Sequence, residues 1–396
     1  MPDGFTRGTV TGYRCATCGA ELPIDTLYPF KCPQAPAGDS HHVLHPVAAG
    51  PDPGLIDDPN PFVRYGRSLA WWAFAQAHGM TDQQCFALTR EVADGFFVTP
   101  CGPNALLSDE LGAEVWVKTE VDQLGGSHKA RHLVTILLHL RAAEELGLTD
   151  RAQRIPLAIA SCGNAAIAAS TLAKASDWPI QVYVPQIDGG PVIETLTALD
   201  AAINKCGRVE GEAGDPAVLR FREAVARGAI PFSVQGPENG LCLDGGRTIG
   251  WELRDAVPAP ARVLIQVGGG AFAAGMGWGL GPVYELDTVQ TEGGAPLDRA
   301  WHRASGVDAD ELGRRWSDFM TPWDDPHSLA DGILDDETYD WQADFEVMRA
   351  SAGKTIVVSE DAVGAAWALA KETGVNVSPT GSAGLAGLLP TASGPS

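Results

Sequence analysis

Four short runs constrain this chain most: IPLAIAS at 155–161, IQVYVP at 180–185, VLIQV at 263–267 and TIVVS at 355–359. Each is mostly apolar, and stretches of helical periodicity separate them. Strands apolar on both faces belong in parallel sheets covered by helices on two sides, so the fold class is α/β. LVTILLHLRAAEEL at 133–146 places Leu133, Ile136, Leu137, Leu140 and Ala143 three and four residues apart, which predicts a helix with one apolar stripe. A chain of 396 residues is long enough for two core-forming domains plus an appendage, and it can bury a deep site.

Charge narrows the partners. The chain carries 28 basic and 50 acidic residues, a formal net charge of -22, so nucleic acid or an anionic membrane surface would be repelled over most of its surface. No run approaches the roughly 18 apolar residues of a membrane span, and MPDGFTRGTV lacks the apolar centre of a secretory signal. A soluble cytoplasmic protein is expected. Of eight cysteines only Cys15, Cys18 and Cys32 cluster; Cys85, Cys101, Cys162, Cys206 and Cys242 read as reduced thiols.

Residues 13–46, within a segment spanning 8–47, read as a small separate unit, and AAGPDPGLIDDPNP at 48–61 reads as a linker. The Trp-containing, acidic stretch between about 290 and 350 is expected to cover a cleft.

Three motifs carry chemistry. QLGGSHKAR at 123–131 is a glycine-rich turn entering a helix with Lys129 in its first turn. Amides and the positive helix end disfavour a charged amine there, which suits a Schiff-base lysine. IASCGNAAIAAS at 159–170 puts Ser161, Cys162, Gly163 and Asn164 between a strand and a small-residue helix. Free amides there can hold a carboxylate, and the Asn side chain can donate to a phenolate oxygen. In VLIQVGGGAFAAGMG a strand runs into Gly268, Gly269 and Gly270 and then a helix beginning near Ala271, a cup for a phosphate. Lysine, oxygen ligand and phosphate cup, in this order in one α/β chain, are the three attachments pyridoxal phosphate needs.

On these motifs the chain resembles the fold type II pyridoxal-phosphate enzymes over about residues 10–389, and among them threonine synthase and its paralogues. The resemblance implies that Lys129 is the Schiff-base and proton-transferring residue and that His128, Asn164, Gly268 to Ala271 and Thr380 contact the cofactor. It implies that Ser127, Ser161, Cys162 and Gly163 bind an amino-acid substrate. It also implies a large cofactor domain, 63–131 and 236–396, a small closing domain, 132–235, and a homodimer. Two departures stand out: His128 and Ala130 flank the lysine where many threonine synthases read Ser-Phe-Lys-Asp, and the chain stops before the usual strand carrying a partner for the pyridine nitrogen. Either Thr391 or Ser393 is expected to substitute, or the reading frame is short and the protein impaired.

The implied reaction is elimination or replacement on an amino acid, with conversion of O-phosphohomoserine to threonine by a carbon-oxygen lyase acting on phosphates as the leading expectation. Lys118, Arg131 and Arg64 are the candidate cations for the substrate phosphate. The acidity of 324–340 favours instead a serine-type substrate, as in cysteine, cysteate or diaminopropionate enzymes. A non-catalytic cofactor-binding relative is the reading from another class. Finally, Cys15-x-x-Cys18 with Cys32 and His41 or His42, His42 the expected ligand, makes a tetrahedral set for structural zinc in a ribbon-like N-terminal segment.

Overall fold

Strands in the computed structural model, which describes residues 7–389 apart from 37, 38, 40, 187, 188 and 213, form four sheets. β1 (Val10–Cys15), β2 (Glu21–Pro23) and β3 (Leu44–Ala48) make an antiparallel sheet in the order β2-β1-β3. β4 (Cys101–Pro103) and β5 (Trp116–Lys118) form a short antiparallel ribbon. β6 (Leu157–Ala160), β7 (Ile180–Pro185), β8 (Ala202–Cys206) and β9 (Ile230–Pro231) make a parallel sheet in the order β8-β7-β6-β9. β10 (Arg262–Gln266), β11 (Glu285–Thr291) and β12 (Thr355–Val358) make a second parallel sheet in that order. The four runs read as buried strands are all strands, within two residues at each end. Thr391 and Ser393 lie outside the described residues.

The helix expected over 133–146 runs from Lys129 to Glu145. Its burial exceeds a single stripe: every residue from Ala130 to Ala143 is buried, including Arg131, His132, Thr135, His139 and Arg141. It is enclosed by the helices Ala70–Ala77, Asp82–Val92, Asn164–Ala175 and Cys242–Ala256, so its polar face meets protein as well. The helices Cys242–Ala256 and Ala271–Leu280 cross closely because glycines meet there; a Cβ on Gly250 would strike the Met276 carbonyl and lie 2.8 Å from Gly279 Cα.

The N-terminal sheet shares its core with the body: Val10, Tyr13, Val43 and Leu44 belong to the same buried cluster as Leu69, Trp71 and Trp72. The stretch 48–61 carries no regular element between the end of β3 at Ala48 and the helix Pro61–Arg64. Among the described residues no helix is long and apolar enough to cross a membrane.

Candidate active site

After β6 the chain builds outward to β7 and β8, then returns to place β9 on the other side of β6. The crevice at such a switch point, beyond the carboxyl ends of the strands, is where open parallel sheets bind ligands. Ser161 to Asn164 follow β6 there, and Gly268 to Gly270 follow β10 in the other parallel sheet. Both loops, together with Ser127, His128, Lys129 and Thr380, line one cavity of about 2100 Å³. The structure therefore brings the three sequence motifs together.

The lysine turn is shaped by Gly125 and Gly126, at φ 75° and 73°, values that L side chains rarely adopt. A Cβ on Gly125 would also come within 3.1 Å of Ala168 Cα, so the turn packs against the helix that Asn164 begins. Ser127 Oγ accepts from the Lys129 amide at 3.4 Å. The His128 ring stacks on Phe272 with centroids 4.0 Å apart, tying the lysine turn to the glycine-loop helix, and burial followed by the Lys129 charge holds its pKa well below the usual range. Lys129 Nζ makes no hydrogen bond or close ion pair among the described residues; burial lowers its pKa, while Asp335, Cys242 and Asp340 oppose that shift.

Gly163 N donates to Ser161 Oγ at 3.3 Å, whereas the Asn164 and Ala165 amides find no protein acceptor among the described residues. Asn164 and Cys162 are exposed into the cavity. At the glycine loop the amides of Gly270, Ala271, Phe272 and Ala273 are likewise without a protein acceptor among the described residues, at the N-terminus of a ten-residue helix. Thr380 Oγ1 accepts from the Gly332 amide at 3.0 Å, locking the helix Pro379–Ala386 to the segment that covers the cavity.

That covering segment is the part whose chemistry sequence reasoning missed. Trp323, Pro326, Asp331 to Asp336 and Tyr339 line the cavity, as a cover over a cleft should. Asp335 Oδ2 lies 2.7 Å from where a Cβ on Gly268 would sit, and the Asp340 amide donates to the Gly269 carbonyl at 2.8 Å. Asp344 lies so close to Gly270 that a Cβ there would fall 2.5 Å from its Oδ2. Burial pushes Asp335 up to about 6, against the pull of Lys129, and Asp340 up to about 7; Asp344 is raised well above its ordinary range by burial and then by the Asp340 charge. One signal was available: Asp340 and Asp344 are four apart, in register with the buried Trp341, Val347, Met348 and Ser351 face of the helix Trp341–Ser351.

The candidate phosphate-receiving cations meet carboxylates instead. Arg131 is fully buried between Glu120, at 2.7 Å, and Glu252, and Lys118 also bonds Glu252. Arg64 lies 3.7 Å from Asp255. Lys118 and Arg131 do converge, but in a structural ion network. Away from the cavity, Cys15, Cys18, Cys32 and His42 gather their ligand atoms within 4.8 Å of one another.

Comparison with known proteins agrees with this geometry. Residues 92–394 match the family described as "Pyridoxal-phosphate dependent enzyme". The biosynthetic L-threonine dehydratase of Haemophilus influenzae is 24% identical over 74% of this chain and 52% of that protein. The L-threonine ammonia-lyase of Thermotoga maritima is 27% identical over 48% of this chain and 45% of its own length. The chain thus spans about half the length of the curated relatives it matches. Among solved structures, threonine deaminase isoform 2 of Solanum lycopersicum superposes with a TM-score of 0.61 at 19% identity, covering 78% of this chain and 84% of that one. The chain belongs to the pyridoxal-phosphate-dependent enzyme family, and pyridoxal phosphate is its cofactor. The cavity is compatible with that group: it offers unpaired amides at a helix N-terminus for a phosphate, an Asn side chain beside them and a lysine amine without a close partner.

Proposed function

With family membership as the premise, we propose that this chain is an amino-acid lyase that eliminates a neutral or cationic group from Cβ, in the manner of a dehydratase or ammonia-lyase. The observation that carries the reading is the sign of charge around Lys129. Asp335, charged at neutral pH, and Asp340, about half charged there, act on the amine, and Asp331 and Asp336 line the same cavity. Lys118, Arg131 and Arg64, which would have to receive a second phosphate, are neutralised by Glu120, Glu252 and Asp255. An O-phosphorylated substrate would bring a dianion against this wall, and like charges in a cavity of reduced dielectric repel strongly. The sequence relatives named for threonine dehydratase and ammonia-lyase support the same choice over the threonine synthase-like reading.

In this reading the Asn164 and Ala165 amides, with Ser161, Cys162 and Gly163 around them, receive the α-carboxylate, and the loop Gly268 to Ala271 holds the cofactor phosphate. Asn164 and His128 bracket the ring, and Ser127 orients the lysine turn. When bound, pyridoxal phosphate supplies an electron sink for the negative charge left at Cα. Lys129 Nζ, its pKa lowered by burial, takes the Cα proton as base.

The test is turnover of serine, threonine, 2,3-diaminopropionate, O-phosphoserine and O-phosphohomoserine by the cofactor-loaded protein, assayed for ammonia, keto acid and phosphate. Ammonia and keto acid from one of the first three, with no phosphate from the last two, is expected. Phosphate release from O-phosphohomoserine, or no product from any of them, would overturn the proposal.

A further inference from the structure

We propose that Cys15, Cys18, Cys32 and His42 hold one structural zinc ion, and that this ion fastens the acidic cover onto the cavity. The four ligand atoms lie within 4.8 Å of one another, and two edges are shorter: Cys15 Sγ to His42 Nδ1 and Cys18 Sγ to Cys32 Sγ, both 3.6 Å. A tetrahedron built on Zn–S bonds of about 2.3 Å and a Zn–N bond of about 2.0 Å has edges of roughly 3.4–3.8 Å. Both short contacts fall in that range. The sulfur pair is too far apart for a disulfide, whose S–S length is about 2.05 Å, and a thiol contact would not explain the other two groups. Three thiolates and an imidazole are a soft donor set, which selects zinc over harder divalent ions.

Around the ligands stands a supporting shell aimed at the cover. His42 Nε2 lies 3.7 Å from Asp39 Oδ2, the carboxylate arrangement that orients a ligating imidazole, and Trp316 Nε1 donates to the same carboxylate at 3.2 Å. His41, next to the ligand, stacks on Trp316 at 3.6 Å between centroids and accepts from Trp341 Nε1 at 3.3 Å. Thr17, between two ligands, donates to Gln342 Oε1 at 2.8 Å. Trp316, Trp341 and Gln342 flank the stretch whose Asp340 amide bonds the Gly269 carbonyl. A continuous set of contacts therefore joins the metal ligands to the glycine loop of the cofactor cavity.

The experiment is metal analysis of the full-length protein purified under reducing conditions without chelator, followed by removal of the metal and titration with Co²⁺. About one zinc per chain and a Co²⁺ spectrum of a tetrahedral thiolate site are expected. Cys18→Ser should lose the zinc; because that substitution also perturbs the N-terminal sheet, the Co²⁺ titration of the stripped wild-type chain is the independent readout. Amide exchange then tests the fastening: removal of zinc should speed exchange over residues 316–344 by at least about tenfold while leaving β6 and β7 unchanged. Absence of metal with no Co²⁺ signal, or a Cys18–Cys32 disulfide in the reduced preparation, would overturn the site. Faster exchange confined to residues 15–42 would overturn the fastening role.

Discussion

Asp335 sits against the glycine loop, its Oδ2 2.7 Å from where a Cβ on Gly268 would lie, beside the place proposed for the cofactor phosphate. Its pKa is raised to about 6, so at pH 8 it is charged and at pH 5 largely neutral. Asp335→Asn should therefore tighten cofactor binding about fivefold at pH 8, the worth of roughly 1 kcal/mol of relieved repulsion, and change it little at pH 5. Absorbance titrations at the two pH values check this; an equal effect at both would contradict it. In the cofactor-free chain the sign is the same, since stability from this group is fully present below the ordinary value of 3.8 and is lost as pH rises through about 6. That Asn164 and Gly268 to Gly270 sit where a strand turns into a helix, and that Lys129 opens a helix after a glycine turn, was legible in the sequence, because the backbone pattern alone locates such junctions. Asp335, Asp340 and Asp344 were visible only as acidity, since nothing local tells which carboxylates turn inward. The partners of Arg131 and Lys118 were hidden for a related reason: Glu252 lies more than a hundred residues away and arrives by folding.

At the scale of elements, the helix from Lys129 to Glu145 holds the site in register, because it is gripped on all sides and carries the reactive amine in its first turn. One wall of that grip is the close crossing of Cys242–Ala256 with Ala271–Leu280, the helix that carries the free amides of the glycine loop. Gly250→Leu would force these helices apart and should cost about 1–3 kcal/mol, read as a lowered thermal midpoint. Gly102→Ala, where nothing lies within 4 Å of the added Cβ, is the control and should stay within about 0.5 kcal/mol of the parent. Equal midpoints for the two variants would show that the crossing is not tight. β6 and β7 were readable because burial on both faces leaves a mostly apolar run, whereas β12 carries such a run with only Val358 buried. The full burial of the Lys129 helix was not, because its Arg and His residues read as a solvated face until the residues enclosing them are known.

For the whole molecule, the family match begins at residue 92, yet the described residues before it pack into the same body: Trp71 and Trp72 are fully buried, and Tyr65 donates to Asp255 at 2.8 Å. The N-terminal sheet thus contributes to the core and, through the cover, approaches the cavity that two parallel sheets open between them. In the proposed function this cavity receives pyridoxal phosphate on Lys129. Its most direct test is addition of the cofactor to the purified chain and to Lys129→Ala, followed by borohydride reduction and peptide mapping. The wild-type chain should show the cofactor's visible absorbance and carry the reduced label on Lys129, while Lys129→Ala keeps its thermal midpoint and carries none. A label that persists in Lys129→Ala, or a wild-type chain that takes up no cofactor, would rule out Lys129 as the attachment point in this cavity.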